Sequence, residues 1–275
     1  MTLEDVQNRP DTRGIAIDAV GVNGLRYPIS VLDQALAKQD TIAEISMSVA
    51  LPADVKGTHL SRFLEILTEH CGELTQRTIP TVLTEMQRRL GTTDAQLTVA
   101  FPYFLPRSAP VTGATALMDY ACRFRARLSP EGPEFALQVA VPVTSVCPCS
   151  KAISDYGAHN QRGLITIEVW PRLSDGEFDL IWIEDLIAIA EASASSPVYP
   201  LLKRADERHV TMVGYDNPGF VEDMVREAAR QLQGDARIAA FTVEAVNDES
   251  IHNHGAFARI HHPAAVRHSD SVSPQ

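Results

Sequence analysis

Twice along its length the chain runs through the same order of patterns: two segments that alternate apolar and polar residues, a helical stretch, then two more alternating segments. A period of two turns one face of a strand toward a core, whereas recurrence every three or four residues does the same for a helix. In the first half, residues 24–32 and 41–51 read as half-buried strands, and 95–105 and 116–128 read as a second pair. Between them a helical block over 61–90 places Phe63, Leu64, Ile66 and Leu67, then Ile79, Val82, Leu83, Met86 and Leu90, on one stripe that stops at Gly91. The second half predicts strands at 135–146 and 163–171, then helices at 178–195 and 217–233, the latter entered through Asn217 and Pro218. Strands at 237–247 and 254–262 close it.

Strands segregated from helices point to an α+β chain with antiparallel sheets, helices on one face, rather than a parallel βαβ fold. The halves share no obvious sequence identity, so only the order of elements suggests duplication. Residues 129–134, with two prolines and a glycine, mark the natural boundary. We therefore expect an N-terminal module over 1–130, a C-terminal module over 131–266, and a disordered tail at 267–275. Sheets of this size leave open edges, and such edges are often paired between subunits, so a ring-like oligomer is expected.

Composition narrows the function classes. With 24 basic against 35 acidic side chains, the net charge of −11 disfavours attraction to phosphate backbones or membrane surfaces, so neither nucleic acid nor membrane is an expected partner. That balance still leaves room for a local basic pocket. The first twenty residues lack the apolar core of a signal peptide, and no uncharged apolar run approaches the roughly 20 residues of a membrane span. The expected location is the cytoplasm. There the four cysteines do not suggest a disulfide scaffold, and Cys71 and Cys122 read as small buried apolar residues.

Four segments carry residues suited to chemistry. Over 143–163 a strand delivers Cys147, Pro148 interrupts the ladder, Cys149 follows, and His159 comes twelve residues after Cys147 in a loop containing glycine. Thiolate plus imidazole suits zinc, iron or manganese, while two buried thiols at a strand end remain the plain alternative. Over 249–254, an extended chain would put His252 and His254 on one face, with Glu249 in the adjoining turn; solvated loop histidines are the competing reading. His261, His262 and His268, in or near the tail, receive no role. Over 220–223, Glu222 falls in the first turn of a helix, either as a dipole-favoured solvated acid or as a carboxylate reading guanine N1–H and its amino group. Over 200–208, Lys203 and Arg204 could hold a triphosphate and Glu207 could ligate a metal, or the segment could be a solvated connection. Lys151 and Arg162 add positive charge beside the cysteine loop.

Together these segments resemble GTP cyclohydrolase type IB, of the tunnelling-fold superfamily. The stretches SVCPCSK, YGAHNQR, LLKRADER, NPGFVED and ESIHNH occur in the family's order, preceded by DVQ, VGVNGLRYPI and KGTHLSRF, so that the likeness spans essentially the whole chain. The resemblance implies two tandem tunnelling-fold modules and a homotetramer with active sites at subunit interfaces. It also implies the conversion of GTP and water to 7,8-dihydroneopterin triphosphate and formate, the opening step of tetrahydrofolate-type pterin synthesis. Carried over, Cys147 matches a metal-site thiolate, and His159, Glu207 and His252 match polar groups around that metal. Glu249 matches a catalytic carboxylate and Glu222 the guanine anchor. Such a donor set would accept manganese(II) or iron(II) as well as zinc. Two rivals share some of these features: the nitrile reductase of queuosine synthesis, which uses a cysteine nucleophile and NADPH, and a structural metal module without activity.

Overall fold

The described residues, 7, 9–70 and 72–263 of a computed structural model, form one long antiparallel sheet with helices against one face. Cys71, His268, the start of the DVQ stretch and the predicted tail at 267–275 lie outside them. Strands β1 (Ile17–Asp33) and β2 (Ala37–Leu51) make a hairpin, followed by helices α1 (Leu60–His70) and α2 (Ile79–Leu90) and strands β3 (Ala95–Ser108) and β4 (Thr115–Ser129). The second half opens with β5 (Gly132–Val146), the short helix α3 (Pro148–Ile153) and β6 (Asn160–Pro171). A small hairpin, β7 (Leu173–Ser174) and β8 (Glu177–Phe178), leads to α4 (Ile183–Ala192), β9 (Ser196–Pro197), α5 (Arg204–Asp216) and α6 (Val221–Gln233). Strands β10 (Ile238–Asn247) and β11 (Ala256–His262) finish the sheet, whose order is β1-β2-β3-β4-β5-β6-β10-β11, with β9 beside β5.

Period-two alternation decides which face is buried. Ala43, Ile45, Met47 and Val49 of β2, Leu97, Val99 and Phe101 of β3, and Val139, Val141 and Val143 of β5 all point to the helical side and are buried. Against them α2 sets Ile79, Val82, Leu83 and Met86, and α6 sets Met224, Val225, Ala228 and Leu232. Each fully buried aliphatic side chain of this kind contributes about 1.5–3 kcal/mol. Burial also raises the thiol pKa of Cys122, which behaves as the small apolar residue expected of it. Among the described residues no helix is long and apolar enough to cross a membrane.

The structure redraws several boundaries. The predicted 61–90 block is two helices, because residues 72–78 leave the helical path and Thr75 and Thr78 bond each other's backbone instead. Helix α2 ends where expected, at Gly91 in the left-handed conformation. The predicted 178–195 helix shrinks to α4, and the 200–208 connection is in large part the first turn of α5. Residues 129–134 are a tight hairpin turn, with Ser129 opposite Gly132. A file of rings, Phe101–Phe124–Phe135–Phe178, with neighbouring centroids 4.9, 5.5 and 5.8 Å apart, carries the core past that turn.

Candidate functional site

The end of β5 is where three of the four chemistry-bearing segments meet. Cys147 follows the last residue of β5 and caps α3, with Pro148 at the first helical position, where a missing N–H does no harm. The Ser150 N–H donates to Cys147 Sγ at 3.4 Å, and Ser150 Oγ accepts from His159 N at 3.1 Å. Cys147 N donates to His159 O at 3.1 Å, so the two ends of the connection are pinned together although eleven residues separate them in sequence. Gly219 N donates to Val146 O at 3.1 Å, which fastens the entry to α6 onto the same strand end and brings Glu222 alongside. Phe220 N donates to Asp223 Oδ2 at 3.0 Å, capping α6. From the far side, Asp248 N donates to Arg162 O at 2.9 Å and holds the start of the β10–β11 connection.

A cleft of about 340 Å³ results, lined in part by Ser145, Cys147, Gln161, Glu222, Asn247 and Glu249. Cys147 and Glu249 are half-buried there, and Glu222 is exposed at its mouth. Three of the residues singled out from sequence, on three separate segments, thus share one opening. His159 stands behind Gln161: its Nδ1 lies 2.9 Å from Gln161 Oε1, while Gln161 Nε2 donates to Ser145 Oγ at 3.3 Å. Ser145 Oγ in turn donates to Gly219 O at 3.0 Å. This chain of bonds fixes the amide, places the proton of neutral His159 on Nδ1, and leaves the Nε2 lone pair free.

Asn247 is the anomaly of the cleft. It is only 2% exposed, and its Oδ1 is enclosed with no donor. An orphaned buried amide of this kind costs about 1–3 kcal/mol. Gly163 makes its seat possible, because a Cβ there would stand 2.5 Å from Asn247 Oδ1.

The other predicted residues lie elsewhere on the protomer. His252 and His254 fall in a bent loop before β11 rather than on an extended strand start, yet their rings stack at 5.3 Å. Neither lines the cleft, nor does Glu207, exposed on the first turn of α5. Lys203 and Arg204 are exposed at the start of that helix, and Arg162 is exposed on β6. Lys151 is committed within the chain: its Nζ donates to Tyr215 O at 2.5 Å and sits 4.2 Å from the Tyr215 ring centroid. Among the described residues no three His, Cys, Asp or Glu side chains converge on one metal position. In donor chemistry Cys147 and His159 each suit a borderline-soft divalent cation, one offering a half-buried sulfur and the other an oriented imidazole nitrogen.

Sequence reasoning passed over Ser145, Ser150, Gln161 and Asn247, whose work is to orient others. It also passed over Asp206. That residue, fully buried, accepts from Val111 N and Thr112 N at 2.8 Å, from Thr112 Oγ1 at 2.6 Å and from Lys203 N at 2.9 Å. The helix carrying Glu207, Lys203 and Arg204 is thereby clamped to the β3–β4 turn of the first half. The signal available was Asp206 three residues after Lys203, the spacing of a residue that bonds back to a helix cap.

Comparison with known proteins gives the fold and the family. In fold, the chain is similar to a uricase from Bacillus fastidious (TM-score 0.53, 8% identity, 91% of this chain and 94% of that one). It is similar also to the uricase from Arthrobacter globiformis (TM-score 0.51, 7% identity, 92% and 96%). At such identities the likeness concerns the fold, which is the tunnelling fold. In sequence it is 49% identical over 258 residues to GTP cyclohydrolase FolE2 of Pelobacter propionicus, covering 94% of this chain and 98% of the relative. It is 51% identical over 259 residues to the protein of that name from Geobacter sp. strain M21, covering 94% of each. The family described as type I GTP cyclohydrolase folE2 matches residues 3–258. With that match spanning nearly the whole chain, including every segment that lines the cleft, the chain belongs to the type I GTP cyclohydrolase FolE2 family.

Proposed function

We propose that the cleft at the end of β5 is where this GTP cyclohydrolase I, an enzyme of folate biosynthesis, opens the imidazole ring of GTP to give 7,8-dihydroneopterin triphosphate and formate. The observation that carries the assignment of the site is the meeting of Cys147, Glu222 and Glu249 in one opening. Glu222, exposed at the mouth of the cleft, would accept hydrogen bonds from guanine N1–H and the 2-amino group. Adenine would leave that carboxylate facing an acceptor, which is a strong basis for rejection.

Cys147 and His159, together with Glu207 and His252, would hold a divalent metal, manganese(II), iron(II) or zinc. When bound, such an ion lowers the pKa of water toward neutrality and so supplies a nucleophile for C8. Glu249, half-buried beside Cys147, is suited to move a proton to the imidazole nitrogen as the ring opens. His252 is the second proton carrier in this reading. Lys151, Arg162, Lys203 and Arg204 form the triphosphate site; Lys151 would exchange its contact with Tyr215 O for phosphate.

Glu207 and His252 lie outside the cleft of a single protomer, and among the described residues both sheet edges, β1 and β11, have unpaired sides. Both features support a homotetramer in which neighbouring subunits complete each site. We further read the chain as two tandem modules, 1–130 and 131–266, joined through the β4–β5 turn, and as cytoplasmic. The test is direct. After chelation, the protein is given GTP and each metal singly while formate and the fluorescence of oxidised neopterin are followed, with sedimentation run in parallel. We expect both products with manganese or iron(II), from a tetramer. Recovery with zinc alone would overturn the relaxed metal choice, and a fully active monomer would overturn the shared site.

A further inference from the structure

Helix α6 begins against its own local rule. The residue before its first turn, Phe220, has the extended backbone of a cap yet offers no side-chain bond to the helix. Serine, threonine, aspartate or asparagine there would accept from one of the first backbone N–H groups, and doing without them weakens a helix start. Here the start is closed from one side only, by Asp223 Oδ2 accepting from Phe220 N at 3.0 Å. Phe220 O is taken as well, accepting from Asp223 N and Met224 N at 3.1 Å each. With both backbone polar atoms spent on α6, what Phe220 brings to the wall of the cleft is its ring. The residue is 39% exposed, and among the described residues no other aromatic ring lies against it. A phenylalanine that neither caps its helix nor joins the core, placed in the same cleft as Cys147, Glu222 and Glu249, is the kind of local conflict that function explains. The other phenylalanine of the cleft, Phe257, stands opposite Val246 in the β10–β11 register, and alternation turns both exposed side chains to the open side of the sheet.

We propose that the Phe220 ring is the platform on which the purine base of the substrate stacks, while Glu222 reads the N1–H and amino edge. This inference rests on the reading of the cleft as the GTP site. Stacking takes the flat faces of ring and base out of water together and leaves the polar edge of the base free for bonds in its own plane. C8 lies at the opposite end of the purine from the N1–H and amino edge. A base held by Glu222 at the mouth therefore directs its reacting carbon inward, toward half-buried Cys147 and Glu249. Every purine has such a face, so Phe220 supplies affinity and leaves the choice of guanine to Glu222.

The experiment compares the assembled, manganese-loaded enzyme with Phe220→Leu, Phe220→Tyr, Phe220→Trp and Glu222→Gln. Phe220→Leu keeps apolar bulk and loses the flat face, so the KM for GTP should rise roughly 5–50-fold with kcat within about threefold. Phe220→Tyr keeps the face, and its KM should stay within about twofold of wild type. The Ki of inorganic triphosphate, which has no base, should be the same in wild type and both variants. In Phe220→Trp the new indole should lose emission on rapid mixing with GTP, before turnover, and not on mixing with inorganic triphosphate; Trp170 and Trp182 of the wild type give the background. The inference is overturned if Phe220→Leu keeps the wild-type KM, or if Phe220→Tyr loses as much as Phe220→Leu. It is overturned equally if the triphosphate Ki rises along with the KM, the mark of a merely structural residue, or if the indole emission ignores GTP. Glu222→Gln separates this inference from the reading beneath it. If it raises KM while Phe220→Leu does not, only the stacking role falls; if neither changes KM, the cleft is not where the base binds.

Discussion

The first connection of each half can be compared directly. Between β1 and β2 the chain turns over residues 34–36, whereas between β5 and β6 it travels from 147 to 159. In the short turn the backbone donors of residues 34–36 are spent on structure. Asp33, buried, accepts from Ala35 N at 2.8 Å and Leu36 N at 2.7 Å, and Gln34 N donates to Glu184 Oε1 of α4 at 2.9 Å. In the long one, Ser150 N donates to Cys147 Sγ and Ser150 Oγ accepts from His159 N, so the bonds of the turn hold a thiol and an imidazole-bearing residue at one strand end. The same contrast recurs at the helices: α1 and α2 are joined by a brief bonded turn, while α4 and α6 are separated by β9 and α5, which carries Glu207. Sheet and core thus serve both halves alike, and the cleft opens where the second half departs from the shortest path. The first half acts as a prop, since its two exposed turns hold α4 and α5 in place.

The largest effect should come from the long connection. Cys147→Ala is expected to lower kcat by about 10⁴-fold or more while melting temperature moves by no more than about 2 °C. Gln34→Ala, in the short turn, should leave kcat unchanged. Formate release and thermal melting of both variants check the pair, and loss of folding in Cys147→Ala would make the long connection structural after all. Next in size is Gln161→Leu, which removes the acceptor of His159 Nδ1. Metal affinity and turnover should each fall about 10–100-fold. A metal titration with undiminished affinity would strip Gln161 of its orienting role.

These ranks also show what the sequence could and could not disclose. Alternation along 41–51 and 135–146 located the strands because burial of one face imposes it, and Gly91 marked a helix end because the left-handed conformation there favours glycine. Cys147, Glu222 and Glu249 stood out only in combination, through stretches that resemble the family, and the fold brings the three to one opening. Residues that act through others left a fainter trace. Gln161 and Ser145 look like ordinary strand polar residues until the register of β5 and β6 sets them face to face, Ser145 opposite Gln161. Helix α5 was half-hidden because its charged first turn, Lys203 to Arg208, has no apolar stripe to betray it, and its hold on the fold is a buried aspartate bonded across to the other half. The His252 segment was misjudged as extended because a loop without a pairing strand has no register to enforce alternation.

Asp206 gives the prediction of middle size. Although burial pushes its pKa up, donors from Thr112, Lys203 and Val111 outweigh that and hold the carboxyl well below its ordinary range. A folded-state value below the unfolded one, about 3.9, adds stability above that pH and loses it as pH falls toward the folded value. Asp206→Asn turns an N–H₂ toward two of the four donors, so melting temperature at pH 7 should drop by roughly 5–10 °C. The gap between wild type and variant should narrow as pH is lowered below about 4. Melts at pH 7 and pH 3.5 measure it; a gap that does not change with pH would mean that the charge of Asp206 is not what clamps α5.

The smallest effect belongs to the short turn. Ala37 sits at φ 68°, in the left-handed region that a side chain resists by about 1–2 kcal/mol and glycine does not. Ala37→Gly relieves that strain but also loosens the unfolded chain, which takes back about 0.4–1 kcal/mol. The balance should raise melting temperature by about 0–3 °C. Formate release should stay within twofold of wild type, because the turn touches α4 through Gln34 and reaches none of the groups in the cleft. A larger change in turnover would mean that α4 transmits the turn's position to the end of β5, where Ser195 Oγ, just beyond the helix, accepts from Val146 N at 3.0 Å. The two connections would then be coupled, and the division between a supporting half and a reacting half would fail at its least conspicuous residue.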